Sequence, residues 1–142
     1  MEKTTMSLTD YSQYESMIQD AEAPKALPAG SEVTARIISI REGVNEETGI
    51  GWRMVTYDIP DEPTAREMTD FFGVLDQEKM DAKRFARELY KFKNFAAAIG
   101  LDYTQPFDWE ELIGRECWVI LGIQKDEEFG DKNRVTKYLS GN

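Results

Sequence analysis

The chain has 142 residues, 41% of them hydrophobic, which suits a single domain with one core. No apolar run approaches the roughly 20 residues that a membrane-spanning helix needs. It carries 27 Asp and Glu against 17 Lys and Arg, no His and one Cys, for a net charge of -10, so histidine-based catalysis, a Cys–His pair and the usual zinc ligand sets are excluded.

Residues 1–28 show no sustained period and are read as an N-terminal arm. The opening MEKTTMSLTD lacks the apolar core of a signal peptide, so a cytoplasmic protein is expected. Within the arm Tyr11, Tyr14, Met17 and Ile18 form one short helical stripe, started by Thr9 or Asp10. Leu27-Pro28-Ala29-Gly30 reads as the turn into the folded domain, 29–142. A first strand is predicted over 32–41, with Val33, Ala35 and Ile37 alternating and a slip at Ile37-Ile38 that marks a bulge. Asn45 to Gly49 is a hairpin connection. The second strand, 51–59, puts Val55, Tyr57 and Ile59 on one face and Trp52, Met54 and Thr56 on the other. Pro60 and Pro63 bracket the next turn, and a third strand covers 66–75.

Over 77–99 the period becomes helical. Phe85, Leu89, Phe92, Ala96 and Ile99 form a core-facing stripe that Gly100 ends. Asp108 caps a single turn from Trp109 to Ile113. A fourth strand, 115–124, sets Cys117, Val119, Leu121 and Ile123 on one face, which makes the cysteine a buried small hydrophobe. A charged loop from Lys125 to Lys132 leads to a last strand over 133–139. The order β-β-β-α-β-β is that of the OB-fold, a partly open five-stranded barrel with one helix. Its rival is an α+β sandwich with the helix laid across an antiparallel sheet.

From Leu27 onward the chain resembles a family of small tailed-phage proteins described as OB-fold single-stranded-DNA-binding proteins. Leu27-Pro28-Ala29-Gly30 before the first strand, the Ala96-to-Gly100 end of the helix, Glu111-Leu112-Ile113-Gly114-Arg115 and Asn133-Arg134-Val135 carry the resemblance. It implies a non-enzymatic protein without cofactor or metal that binds single-stranded DNA in phage replication or recombination. It further implies replication or recombination proteins of phage or host as partners. Many single-strand binders recruit partners through an acidic C-terminal tail. Lys137 to Asn142 carry no acid, so that role is either missing or passes to the arm.

Binding single strands without sequence preference needs aromatic faces for bases and cations along the backbone path. In an OB-fold these lie on strands 2 and 3 and on the loops joining strands 1–2 and 4–5. The candidates on strand 2 are Trp52 and Arg53, with Tyr57 if the facing is inverted. On strand 3 Phe71 and Phe72 point opposite ways, and Phe71 is taken as the stacking ring. Arg36, Arg66 and Arg134 are strand cations that could line a cleft, with Arg41 and Lys137 beside them. Phe129 lies at the tip of the 4–5 loop between Lys125 and Lys132. Trp118 is read as packing on Phe107 and Trp109, and Lys79, Lys83, Arg87 and Lys91 as a solvated basic ridge.

Acidity argues against a phosphate ligand unless the charge is segregated. Asp76 to Gly100 nets +2 and leaves -12 for the remainder. The alternative reading is the same fold used as an acidic protein-interaction module or DNA mimic that binds no nucleic acid. The arm stripe needs a surface, either a second copy in a homo-oligomer or its own barrel.

Overall fold

A computed structural model describes residues 7–140. A short helix α1 (Glu15–Asp20) precedes strands β1 (Glu32–Val44), β2 (Gly51–Asp58) and β3 (Met68–Gly73). The long helix α2 (Ala82–Ile99) and strands β4 (Glu116–Gln124) and β5 (Lys132–Leu139) follow. The strands form one antiparallel sheet in the order β3-β2-β1-β4-β5. β1 is the spine. Its first part, Glu32 to Arg36, pairs with β4 and its later part, Arg36 to Val44, with β2. A register shift between Ile37 and Ser39 bends the strand at the expected bulge.

Expected closure into a barrel is not found: among the described residues no backbone ladder joins β3 to β5. Side chains bridge that seam instead, the Tyr138 hydroxyl of β5 bonding Asp70 of β3. Neither helix is long and apolar enough to cross a membrane.

One face of the curved sheet is covered by α2 and carries the core. Ala35, Ile37, Val55, Tyr57, Phe72, Val119 and Leu121 are essentially inaccessible, and Phe95 of α2 sits among them. Its ring stacks on Trp109 at 5.9 Å and lies 4.5 Å from Phe72. α2 starts at residue 82 rather than 77 because Asp81 is the true cap, accepting from the Arg84 N–H at 2.7 Å. Asp76 instead shapes the preceding turn by accepting from the Glu78 and Lys79 amides. Gly100, at φ +70°, ends the helix in the left-handed region.

Phe95, Ala96 and Ile99 of α2 are buried and Phe92 packs partly buried against the core, so Phe92, Ala96 and Ile99 of the expected stripe hold while Phe95 takes the place of Leu89. Phe95 satisfies the same helical spacing and brings a ring that finds Phe72 and Trp109. Leu89 is left 44% exposed. Trp118 also departs from expectation. It stands opposite Thr34 and Leu139, 55% exposed, while Phe107 and Trp109 pack on Phe92. Cys117 is buried, and burial pushes its thiol up to about 12. Alkylation by iodoacetamide at pH 8 should therefore be negligible in the native protein and rapid in denaturant. Comparable labelling in both would contradict this placement.

In the arm, Asp10 accepts from the Ser12 N–H at 2.9 Å and α1 follows. Its end is tied to the sheet. Lys25 bridges Ala65 in parallel pairing, and the buried Asn133 exchanges hydrogen bonds with the Leu27 backbone at 2.7 and 2.9 Å. Residues 25–27 thus belong structurally to the folded unit.

Candidate nucleic-acid interface

Strand alternation puts Asp70 on the inner face of β3 beside the buried Met68 and Phe72, where a carboxylate needs partners. It has two. Tyr138 of β5 donates its hydroxyl to Asp70 Oδ2 at 2.6 Å, and Lys91 of α2 donates to Oδ1 at 2.6 Å. With its proton on Asp70, the Tyr138 oxygen accepts from the Tyr57 hydroxyl at 2.8 Å. Burial pushes both phenols well above their ordinary range. Lys91 also donates to the Phe71 carbonyl and sits 4.7 Å over the Phe72 ring. This chain of polar side chains spans the gap that no backbone ladder closes.

Outside it runs a groove of about 1180 Å³ between β3 and β5, floored by α2. Arg66, Lys91, Lys132, Arg134 and Lys137 line it, against two acids, Glu67 and Asp70. Arg134 and Lys137 are exposed and make no salt bridge among the described residues. Arg134 stands across from Gly122 of β4, a glycine that leaves room for Thr136. A Cβ there would meet Thr136 Cγ2 at 2.6 Å and Arg134 Nε at 3.5 Å.

At one end of the groove Phe71 is 52% exposed and meets Trp52 edge to face at 5.7 Å. Trp52 is half-buried because it lies flat over Gly43, its cross-strand partner. A Cβ at Gly43 would come within 2.2 Å of the indole. Trp52 thus props Phe71, whose ring is the more open of the two. At the other end Arg66 Nη1 donates to the carbonyls of Phe129 at 2.7 Å and Asp131 at 3.0 Å, clamping the β4–β5 loop against β3. The loop is wound around Asp126. Its carboxylate accepts from the Phe129 and Glu128 amides and lies 3.2 Å from Lys132, contacts that hold it below the usual carboxylate range. Phe129 is exposed with Lys132 5.7 Å from its centroid.

The fold therefore brings Trp52, Phe71, Arg66, Phe129, Lys132 and Arg134 to one side of the molecule. Four expected residues lie elsewhere. Tyr57 is in the core and offers no ring to a base. Arg53 points to the opposite face from Trp52, as adjacent strand residues must, and pairs with Glu42 at 3.4 Å near Trp109. Arg36 is held by Asp58 on the outer face, opposite Glu116. Lys125 is exposed on the loop but outside the groove. The helical basic ridge is broken at both ends, since Lys79 bonds the Gly49 carbonyl and Lys91 turns into the seam.

Lys91, Tyr138 and Asp70 were not among the expected site residues. The inward carboxylate at position 70 was the readable signal that a cation had to approach it. Compared with family models and with curated proteins, the chain matches none of them.

Proposed function

We propose that the protein binds single-stranded DNA along the β3–β5 groove, as an OB-type barrel left open at that seam. One observation carries the reading. A chain with net charge -10 gathers five cations and only two acids on one groove, with an exposed ring at either end. Such an arrangement suits a polyanion carrying flat bases. Phe71 and the Arg66-clamped Phe129 loop stand about 17 Å apart along β3, so they would hold two points of a strand. Arg134 and Lys137 would meet phosphates between them. The motifs running from Leu27 to Val135 support a setting in phage DNA replication or recombination, with proteins of those processes as partners.

Because few cations are free, affinity should rest on stacking more than on phosphates. Fluorescence anisotropy with labelled oligo-dT at several salt concentrations should give a log–log slope of about -1.4 to -2.8, for two to four phosphates. Arg134→Ala and Lys137→Ala should each flatten that slope by about 0.7. Absence of binding at low salt, or a salt-independent affinity, would favour the acidic protein-interaction module.

A further inference from the structure

The arm presents Leu8, Tyr11, Tyr14, Met17 and Ile18 to solvent, and among the described residues α1 touches no other element than the 3-10 turn before it. An apolar stripe at helical spacing without a covering surface is an unfinished interface. A second apolar feature lies on the folded domain. Val74, Leu75, Leu89, Phe92, Tyr103 and Trp109 line a hollow of about 520 Å³ at the far end of β3. Leu89, the residue displaced from the core stripe, sits in its wall.

The two surfaces match in charge. Asp10, Glu15, Asp20 and Glu22 flank the stripe, with Lys25 the one cation between residues 7 and 28. Lys93 is the one charged residue that lines the hollow, Glu88 accepts from the Gly73 amide at its edge, and the exposed Arg87 and Lys83 continue along the same helix. They do not match in reach within one chain. Lys25 is fixed beside Ala65 and Arg66, whereas the hollow begins at Gly73 and Val74. Eight extended residues separate Arg66 from Val74, about 26 Å. From Lys25 the chain can place Ile18 at most about 20 Å away, five extended residues and two helical ones. The backbone of Met17 and Ile18 thus stops short of Val74 along β3, α1 contacts neither a strand nor α2 of its own chain among the described residues, and a neighbouring molecule is under no such tether.

We propose that the arm stripe of one copy docks in the Val74–Leu89–Trp109 hollow of a second copy, as an amphipathic helix in a groove. The contact is head to tail, so each associated copy keeps one free arm or one free hollow for the next. It does not depend on strand binding and is tested without nucleic acid.

Sedimentation velocity of the full chain should show species heavier than the monomer that dissociate on dilution. Tyr14→Asp with Ile18→Asp in the arm should give monomer, as should Leu89→Glu or Lys93→Glu in the hollow, with melting curves near that of the parent. An equimolar mixture of an arm variant and a hollow variant should restore a heterodimer and nothing larger. Ile18→Cys and Leu89→Cys on separate chains should cross-link on mixing, Cys117 being buried. A parent chain that stays monomeric at high concentration would overturn the proposal. So would arm variants that still associate, or a double-cysteine chain that cross-links only within itself.

Discussion

Phe71→Ala is expected to weaken oligo-dT binding by about 5- to 150-fold, the equivalent of roughly 1–3 kcal/mol for one stacked base. The melting temperature should stay within about 2 °C of the parent, because a ring half in solvent has little burial to lose. Trp52 should report the event, since its indole lies 5.7 Å from Phe71 and is quenched when a base stacks there. Trp109, packed between Phe95 and Phe107, should contribute a constant background. Trp52→Ala should remove most of the quench. Unlike Phe71→Ala it should also cost stability, because it uncovers Gly43 and takes away the prop of Phe71. Titration by fluorescence and a thermal melt on each variant separate the two effects. Unchanged affinity in Phe71→Ala would remove this end of the groove from the binding path.

The seam should give the opposite pairing of effects. Asp70→Ala should destabilise the fold by about 2–3 kcal/mol, since it strips the Tyr138 hydroxyl and Lys91 of their shared acceptor. The cost is held down because Lys91 is a third exposed and can turn to water. Melting temperature should fall on the order of 10 °C. Affinity for single strands should nevertheless rise, because the groove loses one of its two acids and frees one of its five cations. A double-mutant cycle with Tyr138→Phe should reveal coupling of about 0.5–3 kcal/mol. Additive losses would mean that Asp70 and Tyr138 do not act as a unit.

The elements were readable from residues because their signals are local. Alternation in Val55 and Tyr57, the slip at Ile37-Ile38 and the stop at Gly100 each depend on a few neighbouring side chains. The site was only half readable. Phe71 against Phe72 follows from alternation once one face is assigned, and Arg134 follows in the same way. Lys91 did not, because a helical lysine at i, i+4 spacing looks identical whether it faces water or a carboxylate brought from another strand. Arg53 follows Trp52 directly on β2 and so faces the other way, where it meets Glu42. Arg36 was lost to Asp58, a partner 22 residues away whose register no local pattern encodes. Leu89 failed because Phe95 offers the helix an equally spaced and bulkier alternative.

Among the described residues, the edges of β3 and β5 have no strand beside them and leave two rows of backbone groups outside any ladder. Such edges recruit the edges of other molecules and seed sheet-to-sheet aggregation unless charges discourage it. Arg66 and Glu67 lead into β3, and Lys132, Arg134 and Lys137 punctuate β5. These side chains therefore act as gatekeepers of solubility whether or not a strand of DNA lies over them. Attempts to tighten binding by making the groove more apolar would strip that protection and turn a ligand site into a polymerisation site.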